Sequence, residues 1–104
     1  MRIDVRSNSA LPPEALRDVE RRCRVALSRL DDAISEVRVV FEEPANRGPL
    51  ALVSVRIAAG PEIRVDATDP VPIEAFSRAL DRVARAAHRW VELRRGIAAL
   101  PQRV

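Results

Sequence analysis

Polar and apolar residues alternate along Arg2-Ile3-Asp4-Val5-Arg6, the period-two pattern of a strand with one wet face. Ser7-Asn8-Ser9 interrupts it, and Pro12-Pro13 suits the opening of a helix, whose first amides lack partners anyway. From Glu14 to about Leu30 the apolar positions change period. Leu16, Val19, Cys23, Ala26, Leu27 and Leu30 recur at helical spacing, and Asp31-Asp32 closes the segment weakly. The alternation then returns. Glu36 to Glu42 predicts a second strand with Val37, Val39 and Phe41 on one face, and Pro44 to Pro49 predicts a loop. Leu50 to Ala58 predicts a third strand, Gly60-Pro61 a tight turn, and Glu62 to Ala67 a fourth strand. Asp69 is placed as an N-cap with Pro70 and Pro72 behind it. A second helix follows from Ile73 to about Leu93, with Phe76, Leu80, Val83, Ala87 and Trp90 along one stripe and Gly96 as its stop.

The order is β-α-β-β-β-α, an α+β fold in which two helices pack on one face of a four-stranded sheet. Short connections make strands two to four antiparallel hairpins, whereas the helix between strands one and two makes that pair parallel if they are neighbours. With 104 residues there is room for one core, so residues 1–95 are expected to form a single domain and 96–104 a C-terminal tail. Apolar residues at 47% and charged residues at 32% fit a packed, solvated chain. No apolar run approaches the roughly 18–20 residues of a membrane span. No signal-like stretch opens the sequence, and the single cysteine cannot form an internal disulfide, so the expected compartment is the cytoplasm.

Charge matters here by position more than by sum. The 18 basic residues are all arginine, against 15 acidic ones, for a net charge of +3. On a helical wheel Arg78, Arg82, Arg85 and Arg89 fall within about 60° of arc, roughly opposite the apolar stripe. On the first helix Arg17, Arg21 and Arg24 repeat a similar spacing, with Arg22 and Arg29 further round. If both helices cover one sheet face, both stripes point outward as a pair of basic ridges suited to a polyanion. The competing interpretation is an ordinary solvated helix face, with Asp18 and Asp81 in helix-surface pairs to Arg21, Arg22 and Arg85. The opposite sheet face carries Arg2, Asp4, Arg6, Arg38, Arg64 and Asp66, a mixture of signs poorly suited to a greasy interface.

Little else suggests chemistry. Gly48, Gly60 and Gly96 are too scattered for a phosphate loop, and no metal-ligand spacing appears. Cys23 and His88 lie on different predicted helices with no third orienting group, Cys23 on the core stripe and His88 at the surface. Glu42-Glu43 lead into a loop and are expected to be solvated. Phe41, Phe76 and Trp90 fit core stripes better than a platform for stacking bases. No enzyme, cofactor, metal or small-molecule substrate is expected.

Several stretches, over roughly residues 1–95, are similar to the ribosome hibernation-promoting factor family, also called ribosome-associated inhibitors. They are Glu14-Ala15-Leu16-Arg17, Ile34-Ser35-Glu36-Val37-Arg38-Val39, Asn46-Arg47-Gly48-Pro49, and Ala67-Thr68-Asp69 followed by Phe76-Ser77-Arg78-Ala79-Leu80-Asp81-Arg82-Val83. The resemblance is to the short, arginine-rich members. It implies binding to small-subunit ribosomal RNA near the tRNA and mRNA sites, idling translation under stress. It also implies RNA contacts from Arg78, Arg82, Arg85 and Arg89, and by a looser match from Arg17, Arg21 and Arg24. A tyrosine common near the start of the family's second helix is absent, with Ile73 in its place. Longer members carry a second domain that pairs ribosomes; a monomer or weak dimer is expected here. The alternative function is a non-catalytic protein-interaction or assembly module of the same fold.

Overall fold

The computed structural model describes residues 1–8 and 11–99 and realises the expected order. The elements are β1 (Arg2–Ser7), α1 (Pro13–Ala26), a 3₁₀ turn (Ser28–Leu30), β2 (Ile34–Glu42), β3 (Leu50–Ile57), β4 (Glu62–Thr68) and α2 (Pro72–Ala99). The sheet runs β1-β2-β3-β4, with β1 parallel to β2 and the remaining pairs antiparallel. Alternation sorts each strand. Val37, Val39 and Phe41 of β2 and Ala51, Val53, Val55 and Ile57 of β3 are buried on one face, beneath both helices. Val19, Cys23 and Leu27 come down from the first helix, and Phe76, Ala79, Val83 and Ala87 from the second, into one continuous core.

Beyond one-residue shifts at element ends, four features differ from the sequence expectation. The first helix stops at Ala26 rather than Leu30, and a 3₁₀ turn carries Leu30 into the core. The second strand starts two residues early because of a bulge: Ile34 pairs with Ile57 and Glu36 with Arg56, leaving Ser35 as the extra residue. The bulge lets Ile34 join the buried face, although simple alternation would turn it outward. Asp69 does not cap α2. Its Oδ1 accepts the amide of Val71 at 2.9 Å in a turn just ahead of the helix, and the Val71 carbonyl receives Ala75 N at 3.1 Å. Finally, α2 continues through Gly96 to Ala99. A mid-helix glycine costs only about 1 kcal/mol relative to alanine, too little to stop a helix whose neighbours are good helix formers. The remainder of the expected tail, 100–104, lies outside the described residues.

The β3–β4 turn inverts the usual glycine logic. Its left-handed residue is Ala59, at φ 56°, although Gly60 is next to it. Gly60 is needed for space: a Cβ there would lie 2.7 Å from Cη2 of Trp90. Arg94 holds the turn from above, donating to the Ala59 carbonyl at 2.9 Å while lying 5.2 Å from the Trp90 ring centroid. Gly60→Val is therefore expected to destabilise the fold by about 1–3 kcal/mol through overpacking, and Ala59→Gly to be neutral or stabilising by up to about 1 kcal/mol. Thermal melts, with the fluorescence of this lone tryptophan as a local reporter, distinguish the two.

Cys23 is fully buried between α1 and the sheet. Burial, with a smaller push from the Glu20 carboxylate, raises its thiol from an ordinary 9.0 to about 12. Near neutral pH the native thiol should react with alkylating reagents far more slowly than in denaturant. The folded value is the raised one, so the thiol's contribution is complete below pH 9 and stability declines as pH climbs from 9 towards 12. Rapid native labelling at neutral pH would contradict this placement.

Candidate nucleic-acid interface

The helices, not the sheet, hold the concentrated arginines. Since α1 and α2 bury their apolar stripes against one sheet face, their polar stripes must point away from it. Arg17, Arg21 and Arg24 on α1 and Arg78, Arg82, Arg85 and Arg89 on α2 are all exposed. The structure does not treat them alike. Arg21 pairs with Asp18, Arg24 with Glu20 at 3.1 Å, Arg85 with Asp81 at 2.8 Å, and Arg78 with Asp69 at 3.3 Å. The hydrogen bond from Arg21 is the main influence holding the Asp18 carboxyl below its ordinary value. Among the described residues Arg17, Arg82 and Arg89 have no acidic partner, and their exposed guanidinium groups face solvent.

Two concavities gather parts of this set. The first is a groove of about 590 Å³ between the helices, floored by Ala26, Leu80 and Ala84 and walled by Arg21 and Arg22 opposite Asp81. Arg22 ties the helices together there, reaching Asp18 on its own helix at 2.9 Å and the Ser77 hydroxyl on α2 at 3.3 Å. His88, expected at the surface, is half-buried instead, with Nε2 3.4 Å from the Ala26 carbonyl at the end of α1. It is a further tie between the helices.

The second concavity, about 230 Å³, lies where α2 passes the end of β4. Arg78 and Arg82 meet Arg47 there, beside Asp66 and Thr68. Arg47 sits in the β2–β3 loop, where its amide closes a turn onto the Pro44 carbonyl at 3.2 Å and Gly48 adopts φ 68°. Helical periodicity could not find Arg47, because it belongs to no periodic element; its only sequence signal is the Asn46-Arg47-Gly48-Pro49 stretch. The structure thus brings Arg78, Arg82 and Arg47 together, sets Arg21 on the wall of the interhelical groove, and leaves Arg17, Arg24 and Arg89 along the outer ridges.

Such a surface can bind anions without moving the backbone. Guanidinium forks on rigid helices present donors at fixed spacing, and Arg suits bidentate contact with phosphate oxygens. The local ion pairs oppose this only weakly, since exposed pairs are worth about 0–1 kcal/mol and a phosphate can replace the carboxylate. Among the described residues no group of three or more His, Cys, Asp or Glu could hold a metal ion, and no helix is long and apolar enough to cross a membrane.

No protein-family model matches this chain, and no curated protein matches it in sequence. Solved structures do. The N-terminal domain of Protein Y from Thermus thermophilus superposes with a TM-score of 0.71 at 25% identity, over 86% of this chain and 99% of that one. A ribosomal subunit interface protein from Coxiella burnetii superposes with a TM-score of 0.67 at 17% identity, over 88% and 99% of the two chains, a likeness of fold alone. The residue stretches quoted above and these structural neighbours agree, and the fold of this chain is that of the ribosome hibernation-promoting factor family.

Proposed function

We propose that this protein binds the ribosome through small-subunit ribosomal RNA, using the arginine layer on its two helices, and idles translation under stress without catalysing a reaction. The observation that carries the proposal is the concentration of exposed arginine on the helix layer, where Arg82 has no acidic partner among the described residues and the fold adds Arg47 beside Arg78 and Arg82. The residue stretches that resemble the ribosome hibernation-promoting factors direct the polyanion reading to ribosomal RNA. Arg78, Arg82, Arg85 and Arg89 form the main contact row, with Arg17, Arg21 and Arg24 as the flanking row.

The ion pairs of Arg21, Arg24, Arg78 and Arg85 favour a second reading, in which the helix face is simply solvated and the protein serves as an interaction module. Co-sedimentation separates the two. Under the proposal, purified protein at low salt migrates with isolated small subunits in a sucrose gradient and leaves them as salt rises. Under the second reading it stays at the top of the gradient in every condition.

A further inference from the structure

The open face of the sheet is mixed in sign, and the strand register gives the mixture an order. Reading across β1, β2, β3 and β4, one row is Arg2, Glu36, Arg56, Glu62; the next is Asp4, Arg38, Ser54, Arg64; the third is Arg6, Val40, Leu52, Asp66. Neither helix covers this face, since both lie on the other side of the sheet.

Consider a second copy laid face to face, related by a two-fold axis parallel to the strands between β2 and β3. That operation keeps each row level with itself but reverses its order, so β1 faces β4 of the partner and β2 faces β3. Arg2 then faces Glu62, Glu36 faces Arg56, Asp4 faces Arg64, and Arg6 faces Asp66. Arg38 lies over Ser54, which its own neighbours already bury, and Val40 meets Leu52 near the axis. No two like charges oppose each other in these rows. The other in-plane axis, perpendicular to the strands, lacks this property: centred on the same three rows, it brings Arg38 against Arg38 and Arg2 against Arg6 of the partner copy. The charge match belongs to one of these two orientations, and both keep the strands near-aligned, as in twisted sheets packed about 10 Å apart.

We propose that this face is a self-complementary interface through which two copies of the chain stack as a weak, salt-sensitive, isologous dimer. Strand spacings of about 4.8 Å and row spacings of about 6.8 Å over four strands and three rows give a patch burying about 800 Å² in total, a size that fits a weak contact only. The same charges already pair within one sheet, with Arg6 to Asp4 at 3.1 Å, Arg38 to Glu36 at 3.2 Å and Arg56 to Glu62 at 4.0 Å. Stacking therefore exchanges or shares ion pairs, which adds orientation more than strength. The helix arginines stay outside the interface on both copies, and the two surfaces meet only at Asp66 on the β4 edge.

The test is sedimentation velocity of the intact protein over about 10 µM to 1 mM, at about 50 mM and 500 mM salt, spanning strong and weak screening. The expected result is a concentration-dependent approach to the dimer mass at low salt that disappears at high salt. Glu62→Arg should raise the dissociation constant at least about tenfold, because the symmetry repeats the new repulsion with Arg2 twice. Arg2→Glu combined with Glu62→Arg should restore dimerisation, although that double variant sets like charges side by side within each sheet. A charge pattern serving only the isolated sheet cannot produce that recovery. A parent monomeric at every concentration overturns the proposal, as does a dimer insensitive to salt or a double variant that fails to recover. The salt comparison on the parent decides even where a variant folds poorly.

Discussion

Reversing Arg82 and Arg85 together to glutamate is expected to weaken ribosome association by about a hundredfold or more, with the melting temperature within a few degrees of the parent's. Both residues are exposed near the middle of α2, behind a core stripe that holds the helix in place. Arg82 has no acidic partner among the described residues and sits with Arg47 and Arg78, so its loss opens the centre of the cluster. Arg85 would exchange its Asp81 partner for RNA phosphate. Two charge-assisted contacts at about 1.5 kcal/mol each amount to roughly two decades of affinity before any repulsion is added. Folding barely notices, because exposed ion pairs contribute about 0–1 kcal/mol. Pull-down titrations against small subunits, run beside thermal melts of the same samples, measure both halves of the expectation.

The opposite profile is expected of Phe76→Ala. Phe76 is fully buried, and its ring lies 6.0 Å from that of Phe41 at 48°, joining α2 to the middle of the sheet. Truncation removes a large apolar side chain and leaves a cavity between layers that cannot collapse freely, at a cost of about 3–5 kcal/mol. Against a total of about 5–15 kcal/mol for a domain, that is a large share. Denaturant unfolding should show a strongly lowered midpoint with an unchanged slope, and the molecules that remain folded should bind as the parent does. A small shift in the midpoint would mean that the α2–sheet contact is looser than its burial indicates.

The two profiles mirror what periodicity could and could not reveal. Phe76, Val83 and Ala87 announce their burial by spacing alone, and Val37, Val39 and Phe41 do so by alternation, so the layers and the core are legible in the sequence. The exposed positions of Arg78, Arg82, Arg85 and Arg89 followed from the same wheel. What stayed hidden depended on contacts between elements. The bulge at Ser35, the loop-borne approach of Arg47 to α2, and the half-buried seat of His88 against the end of α1 have no signature in a one-dimensional pattern. Gly60 and Ala59 show the same limit in one turn: local propensity would give the left-handed position to glycine, but Trp90, thirty residues on, claims the space above it. Gly96 shows the converse, a breaker overruled by its helical surroundings.

The central claim, that the helix layer is a phosphate-binding surface, is tested most directly by the salt dependence of binding to isolated small subunits. Neutralising roughly five phosphates gives a slope of about −4 for log affinity against log salt, at about 0.7–0.9 per contact. Affinity should then fall a few hundredfold between about 50 and 200 mM salt. The Arg82→Glu/Arg85→Glu variant, with two contacts removed, should give a slope nearer −2 wherever its residual binding can be measured. A parent slope near zero, or identical slopes for parent and variant, would contradict the account and leave the arginines as a solvated face.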